Sequence, residues 1–378
     1  MVDGNGGDMP LGRHRSRQGP KPAEGVTAGA PASGSSSLAP PGQRRVVSAT
    51  PPVYEAPLEL IQGLITPTAF FFLRNHYSTP IIDPKTWRLR IEGSAVERPV
   101  ELNYDDILNM RSRSQLTLLE CAGNGRSLYG TFGDRPAPGA AWRLGGVSLG
   151  EWTGVSLAEV LKQAGVKSTG IDVLLEGEDE GTVARPIPLK VAMDPGTILA
   201  YALNGEFLPP EHGFPLRAIV PGWTGISSIK WLGRIAVEDR PIKTRYNTDQ
   251  YVLKGPEYPD NPPVMHYGVK SAVALSWNAT VLSGIRTVRG FAWSPYGRIA
   301  RLECSLDEGK SWAEARLLEP NTPFAWTRWE ITWPASPGNY TIITRATDEA
   351  GNTQPDRMPW NDLGYLYHAV VPHPVQVV

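Results

Sequence analysis

The sequence predicts an α+β domain followed by an all-β sandwich. Between residues 51 and 261, strand-like and helix-like stretches alternate without the regular spacing of βαβ units, which argues against a doubly wound sheet. From about residue 262 helical signals stop, and short alternating strands run on to residue 378. A third observation agrees with both. The 39 glycines, 36 prolines and 12 tryptophans fit a chain of many turns, short strands and ordered loops.

Residues 1–50 are mostly Gly, Pro, Ala and Ser, with almost no large apolar side chain. Such a segment buries too little surface to offset its ordering entropy, so a disordered tail is expected. WRLRIEG, Trp87 to Gly93, alternates and predicts a strand. TLLE, Thr117 to Glu120, predicts another that ends at Cys121. In SLAEVLKQAG, Ser156 and Glu159 have the spacing of a capping box, and Gly165 stands where a helix-ending glycine belongs. IDVLLEG, Ile171 to Gly177, reads as a buried strand, and GRIAVED, Gly233 to Asp239, as one more. Between two apolar stretches, Asn204-Gly205 is a strong hairpin signal.

In the second domain Ala300, Leu302, Cys304 and Leu306 alternate with Arg301, Glu303, Ser305 and Asp307. That pattern puts Cys304 inward as a small buried hydrophobe. IRTVRGFAWS, FAWTRWEITW and YTIITRAT continue the run, the last closed by the turn DEAGN. Strands at this spacing over roughly 110 residues fit an immunoglobulin-like sandwich.

With 37 basic against 38 acidic side chains, the chain lacks the charge bias that would draw it to nucleic acid or an anionic membrane. No apolar run approaches the ~18 residues of a spanning helix. The first residues carry no apolar signal core, so a cytoplasmic protein is expected. Two distant cysteines make no disulfide framework, and the fold must stand on packing.

The chemistry turns on LTLLECAGNGRS, Leu116 to Ser127. Cys121 could be a buried thiol at a strand end, a nucleophile or a metal ligand, and the residues alone leave all three open. A thiol nucleophile needs a histidine base, and the chain offers six: His14, His76, His212, His266, His368 and His373. Zinc would need Cys and His more closely clustered. GNGRSLYG lacks the third glycine of a dinucleotide fingerprint, and neither a P-loop nor a serine elbow is present.

FFLRNH, ECAGNGRS, AAWRLGGVSLGEW, AMDPGTILAYALNG, HGFPLRAIVPG and SSIKWLGRI follow in that order. With these motifs the chain resembles the sulfite oxidase family of molybdopterin enzymes over residues 60 to 375. GFAWS, SLDEGKSW and RATDEAGNTQP resemble that family's dimerisation domain. The resemblance implies a molybdopterin-binding catalytic domain over 51–261 and a dimerisation domain over 262–378. It implies molybdenum held by two dithiolene sulfurs of molybdopterin and by the Cys121 thiolate, a soft ligand set. Cofactor contacts are implied for Asn75, His76, Asp179, His212, Arg217, Ser228 and Lys230.

For the substrate, the resemblance implies Arg74, Arg126 and Trp142, with Tyr251 as the catalytic tyrosine. Tyr246 competes for that role, because the family's Asp-Tyr-Lys-Gly is drawn out here into Gln250 to Gly255. The implied reaction is oxidation of sulfite to sulfate by a homodimer. No Cys-x-x-Cys-His occurs in these residues, so electrons would pass to an external acceptor such as a cytochrome c. In WNDLGY, Leu363 stands where vertebrate-type members carry an arginine after Trp-Asn-Leu. That departure keeps another sulfur compound or an S-oxide in play as substrate.

Overall fold

A computed structural model describes residues 44–378. The expected tail lies outside the described residues up to position 43. Arg45–Ser48, assigned to the tail, instead forms a strand antiparallel to Val53–Glu55. Two adjacent valines favour extended backbone, and the Arg45 guanidinium is bound by Glu55 and by the Ala141 carbonyl.

Two five-stranded sheets build the first domain. In one, Ser112–Glu120, Val147–Ser156, Ile198–Leu203 and Glu206–Phe207 lie side by side, and Arg217–Ile219 also pairs with Ile198–Leu203. In the other, Arg88–Glu92 and Leu232–Glu238 run parallel at the centre. Val100–Asn103, Asp172–Gly177 and Ala184–Pro188 complete it antiparallel. Leu89, Ile91, Leu175 and Ile235 from one sheet share a core with Leu118, Leu149 and Leu199 from the other. Helices are short, and among the described residues none is long and apolar enough to cross a membrane.

The Asn204-Gly205 turn forms as read, joining Leu203 to Glu206, with φ of 54° and 84° at its two residues. Gly165 ends the helix Leu157–Gln163 at φ 67°. The capping box expected from Ser156 and Glu159 does not form. Ser156 makes no side-chain cap bond, because it still belongs to the strand Val147–Ser156, and the Leu157 amide is taken by the Thr197 carbonyl.

The second domain is the expected sandwich. Lys270–Val273, Gly284–Trp293, Thr327–Ala335 and Arg316–Leu318 face a sheet of Ala279–Val281, His373–Val377, Gly338–Asp348, Ile299–Ser305 and Ala313–Glu314. Leu302, Cys304, Trp329, Ile342 and Val375 fill the space between them. Ala300, read as inward, is exposed. A bulge between Ile299 and Arg301 shifts the register and turns it outward while Leu302 and Cys304 stay inside.

The sandwich is not hung on a linker. Ala272, Phe291, Trp293 and Trp326 belong to the first domain's core. Phe291 and Trp326 pack at 4.3 Å between ring centroids. The Trp326 indole donates to the Leu64 carbonyl at 2.7 Å, and the Leu118 amide donates to the Phe324 carbonyl at 2.7 Å. One packing constraint is steep: Gly154 lies opposite Ala200, and a Cβ there would stand 2.1 Å from the Leu199 carbonyl oxygen. Gly154→Ala is expected to cost about 1–3 kcal/mol, read as a lower denaturant midpoint at unchanged slope.

Candidate active site

The strand Ser112–Glu120 ends in the turn that carries Cys121. The Cys121 amide donates to the Gly146 carbonyl at 2.8 Å, and the Asn124 amide returns to the Cys121 carbonyl at 2.9 Å. Asn124 then accepts from the Gly146 amide at 3.0 Å. The glycines of GNG are needed for this closure. A Cβ on Gly123 would lie 2.8 Å from the Arg126 guanidinium, and Gly125 has φ 88° with Tyr367 pressed against it. The Cys121 side chain, 9% exposed, faces a cleft of about 730 Å³ that is partly open to solvent. Burial raises its thiol pKa, opposed by the charge of Arg74, the Gly123 amide and Arg126.

The cleft's polar lining is rich in basic side chains. Arg74, His76, His212, Arg217 and Lys230 line it, and Asp179 is the one carboxylate among the described lining residues. Arg217 donates to the carbonyls of His212 at 2.9 Å and Ser228 at 3.1 Å and lies over the Trp152 ring at 4.9 Å. Its Nε is buried without a hydrogen-bond partner, and desolvation pulls its pKa down to about 9. Lys230 donates to Asn75 and to the Glu211 carbonyl. Burial and then repulsion from Arg217 and Arg74 push its pKa well below the ordinary lysine value. Burial does the same to His212, with Lys230 and Arg217 adding to it. The Ser228 hydroxyl accepts from the Val220 amide at 3.1 Å, and neighbouring Ser227 Oγ is buried without a partner. Asp179 accepts from the Val183 amide at 2.8 Å; burial raises its pKa despite nearby Lys230.

Tyr251 reaches the cleft and Tyr246 does not. The Tyr251 hydroxyl lies 2.8 Å from His76 Nε2. Its backbone is held at φ 52°, an uncommon conformation for a side chain of this size. Its amide neighbourhood explains how: Tyr251 accepts from the Val264 amide at 2.7 Å, and Arg185 clamps the carbonyls of Tyr246 and Val264. Arg185 is 1% exposed, and desolvation lowers its pKa to about 10. Tyr365 stacks on Tyr251 at 5.1 Å and 12°, with the Arg126 guanidinium 5.0 Å from the other ring centroid.

Two expected substrate residues do not line the cleft. Arg126 is spent on backbone, donating to the carbonyls of Ala140 at 3.1 Å, Leu363 at 3.2 Å and Gly364 at 3.3 Å. Trp142 is fully buried, edge-on to Phe72 at 6.2 Å, and its carbonyl takes the Ser127 amide and hydroxyl. Both brace the Cys121 turn, Arg126 lying against Gly123 and the Trp142 carbonyl holding Ser127.

Residues 76–246 match the family described as "Oxidoreductase molybdopterin binding domain", and residues 261–374 match "Mo-co oxidoreductase dimerisation domain". Sulfite oxidase of Gallus gallus is 36% identical over 349 residues, covering 85% of this chain and 75% of that protein. The chain belongs to the sulfite oxidase family of molybdopterin oxidoreductases. Mitochondrial sulfite oxidase of Homo sapiens is 36% identical over 341 residues; the chain spans 83% of itself and 62% of that relative's length. Among solved structures, the sulfane dehydrogenase SoxCD of Paracoccus pantotrophus aligns with a TM-score of 0.79 at 29% identity, covering 87% of this chain and 86% of that one.

The cofactor of this family, molybdenum on molybdopterin, fits the residues present. A phosphate-bearing group wants cations and unspent donors, and the cleft offers a cation excess and the orphaned Arg217 Nε. A metal already held by the pterin's two sulfurs is completed by a further thiolate of the same soft ligand type, and Cys121 supplies the one thiol in the lining. Sequence reasoning missed Tyr365 and Arg185. Tyr365 sits in WNDLGY beside Leu363, but no periodicity points to its stacking; Arg185 lies in the strand Ala184–Pro188 and looks like an ordinary surface charge.

His76 and His212 bind a proton more weakly in the folded than in the unfolded chain, where the ordinary value is 6.5. Below that value the unfolded chain holds the extra protons, so the cofactor-free protein should lose stability as pH falls through about 6.5. Melting temperatures from pH 5 to 8 are expected to rise with pH, and His212→Gln should flatten the slope.

Proposed function

We propose that this member of the family oxidises sulfite to sulfate, works as a homodimer through its second domain, and passes electrons to an external acceptor such as a cytochrome c. One observation carries the reading: a single cleft joins the Cys121 thiol, the Tyr251 phenol and the cation cluster. Sulfite and water become sulfate with release of two protons and two electrons, and molybdenum, when bound, supplies the oxygen-atom transfer.

The protein's share is position and charge. Cys121 serves as the metal's thiolate, while Arg217, Lys230, His212, Ser228 and Asn75 hold the pterin and its phosphate. Asp179, close to Lys230, balances part of that charge. Arg74 faces the thiol and attracts the substrate anion. Burial pushes the Tyr251 pKa up, so its phenol keeps the proton and donates it as a hydrogen bond to the oxyanion. His76, held neutral by burial and by Arg74, orients that phenol. Arg126, its Nε and Nη1 held by three carbonyls, adds positive potential at the thiolate.

A second reading has its own support. The 361–366 loop, whose Tyr365 stacks on Tyr251 of the cleft, carries Leu363 and no cation, and the SoxCD likeness spans most of both chains. A less highly charged sulfur compound, of the sulfane type, would suit such a pocket. Metal analysis combined with reduction of added cytochrome c decides between the two. Stoichiometric molybdenum with turnover on sulfite well above that on thiosulfate supports the first reading; thiosulfate or sulfane turnover without sulfite turnover supports the second.

Tyr251→Phe is expected to lower kcat about 100-fold, with Tyr246→Phe near the parent value, in steady-state assays. Cys121→Ser should abolish turnover while pterin, quantified after release, stays bound.

A further inference from the structure

The residue before the thiol is tied to the second domain. Glu120 is 1% exposed, and its two oxygens are fully engaged. Oε1 accepts from Lys270 Nζ and from Asn124 Nδ2 at 2.9 Å, and Oε2 accepts from Trp293 Nε1 at 2.7 Å. Lys270 and Trp293 stand opposite each other at the end of one antiparallel pair of the sandwich. The same ammonium lies 3.4 Å from the Asn124 carbonyl, so one cation grips the turn both before and after Cys121. Both side chains of this ion pair are only 2% exposed, and no other pair among the described residues is buried on both sides to that degree.

A buried ion pair is a poor device for stability alone, since apolar residues of equal volume hold two surfaces together as well or better. What it supplies is a fixed position and a fixed charge. An uncompensated carboxylate one residue from the thiolate would repel added electron density at the site; the Lys270 ammonium cancels it. We propose that Lys270 is a positioning residue for the metal-binding thiolate, acting through Glu120, so that the second domain sets the geometry and charge of the molybdenum site. The proposal rests on Cys121 being the metal ligand.

The test uses Lys270→Met, Lys270→Arg and Cys121→Ser holoenzymes, with Arg234→Met as a control. Arg234 pairs with Glu92 and Glu176 on a sheet remote from the thiol turn, and its loss should lower the melting temperature only. The main readout is the visible thiolate-to-metal charge-transfer absorption, with metal content measured on each sample. Molybdenum-loaded Lys270→Met is expected to show a shifted band and kcat down about tenfold at nearly unchanged KM, as for other residues that orient a ligand. Lys270→Arg should restore most of both. A loaded Lys270→Met with the parent's band and kcat overturns the proposal, whatever its melting temperature. Should that variant fail to fold, Lys270→Gln takes its place, keeping a donor within reach of Glu120 while removing the charge; a shifted band in the loaded variant supports the proposal and an unshifted band overturns it. Persistence of the band in Cys121→Ser would instead refute the ligand assignment itself, a result separate from any change at Lys270.

Discussion

Positive charge buried beyond what nearby carboxylates can balance is the constraint around which this molecule is arranged. Arg74, Arg217 and Lys230 crowd one cleft beside His212, which burial keeps from taking up a proton, and Asp179 and Glu211 supply the opposing charge. Isolated buried cations of this kind are costly unless a ligand supplies the missing charge. The cofactor's phosphate is such a ligand. The cost is met in the meantime by backbone carbonyls of His212, Ser228 and Glu211, which the short loops between strands turn toward the cleft.

The opposite wall depends on the turn after Glu120. Two glycines let it fold tightly, and every side of it is held by something distant in sequence. Gly146 binds its start, Lys270 and Trp293 hold the carboxylate, and the Leu366 amide donates to the Ala122 carbonyl at 2.8 Å. Three of those four contacts come from the second domain. The two domains therefore share a core and a site, and the loop 361–366 brings Tyr365 onto Tyr251 as a consequence of the same packing.

Local patterns were legible where neighbours in sequence settle the outcome. Asn204-Gly205 and Gly165 behaved as read because left-handed backbone is cheap for them. Leu302 and Cys304 turned inward because, past the bulge at Ala300, the strand resumes its two-residue period there. Ser156 failed as a side-chain cap and Ala300 failed as a core residue for a shared reason: pairing with a distant strand overrode the local pattern. Within the site, the residues implied by the motifs include the basic groups and the thiol that line the cleft, yet nothing in the motifs separated Arg74, which lines it, from Arg126, which binds carbonyls.

The sequence by itself determined the α+β domain with a β-sandwich after it, the family through motifs in order, and the residue types gathered at the site. Tertiary structure alone decided which tyrosine reaches the cleft, that Trp142 and Arg126 lie outside its lining, and that Lys270 grips the Cys121 turn from another domain. The reason is physical. Hydrogen bonds and turns between near neighbours are written in short stretches, whereas the burial of a charge is decided by whatever the fold brings against it from 150 residues away.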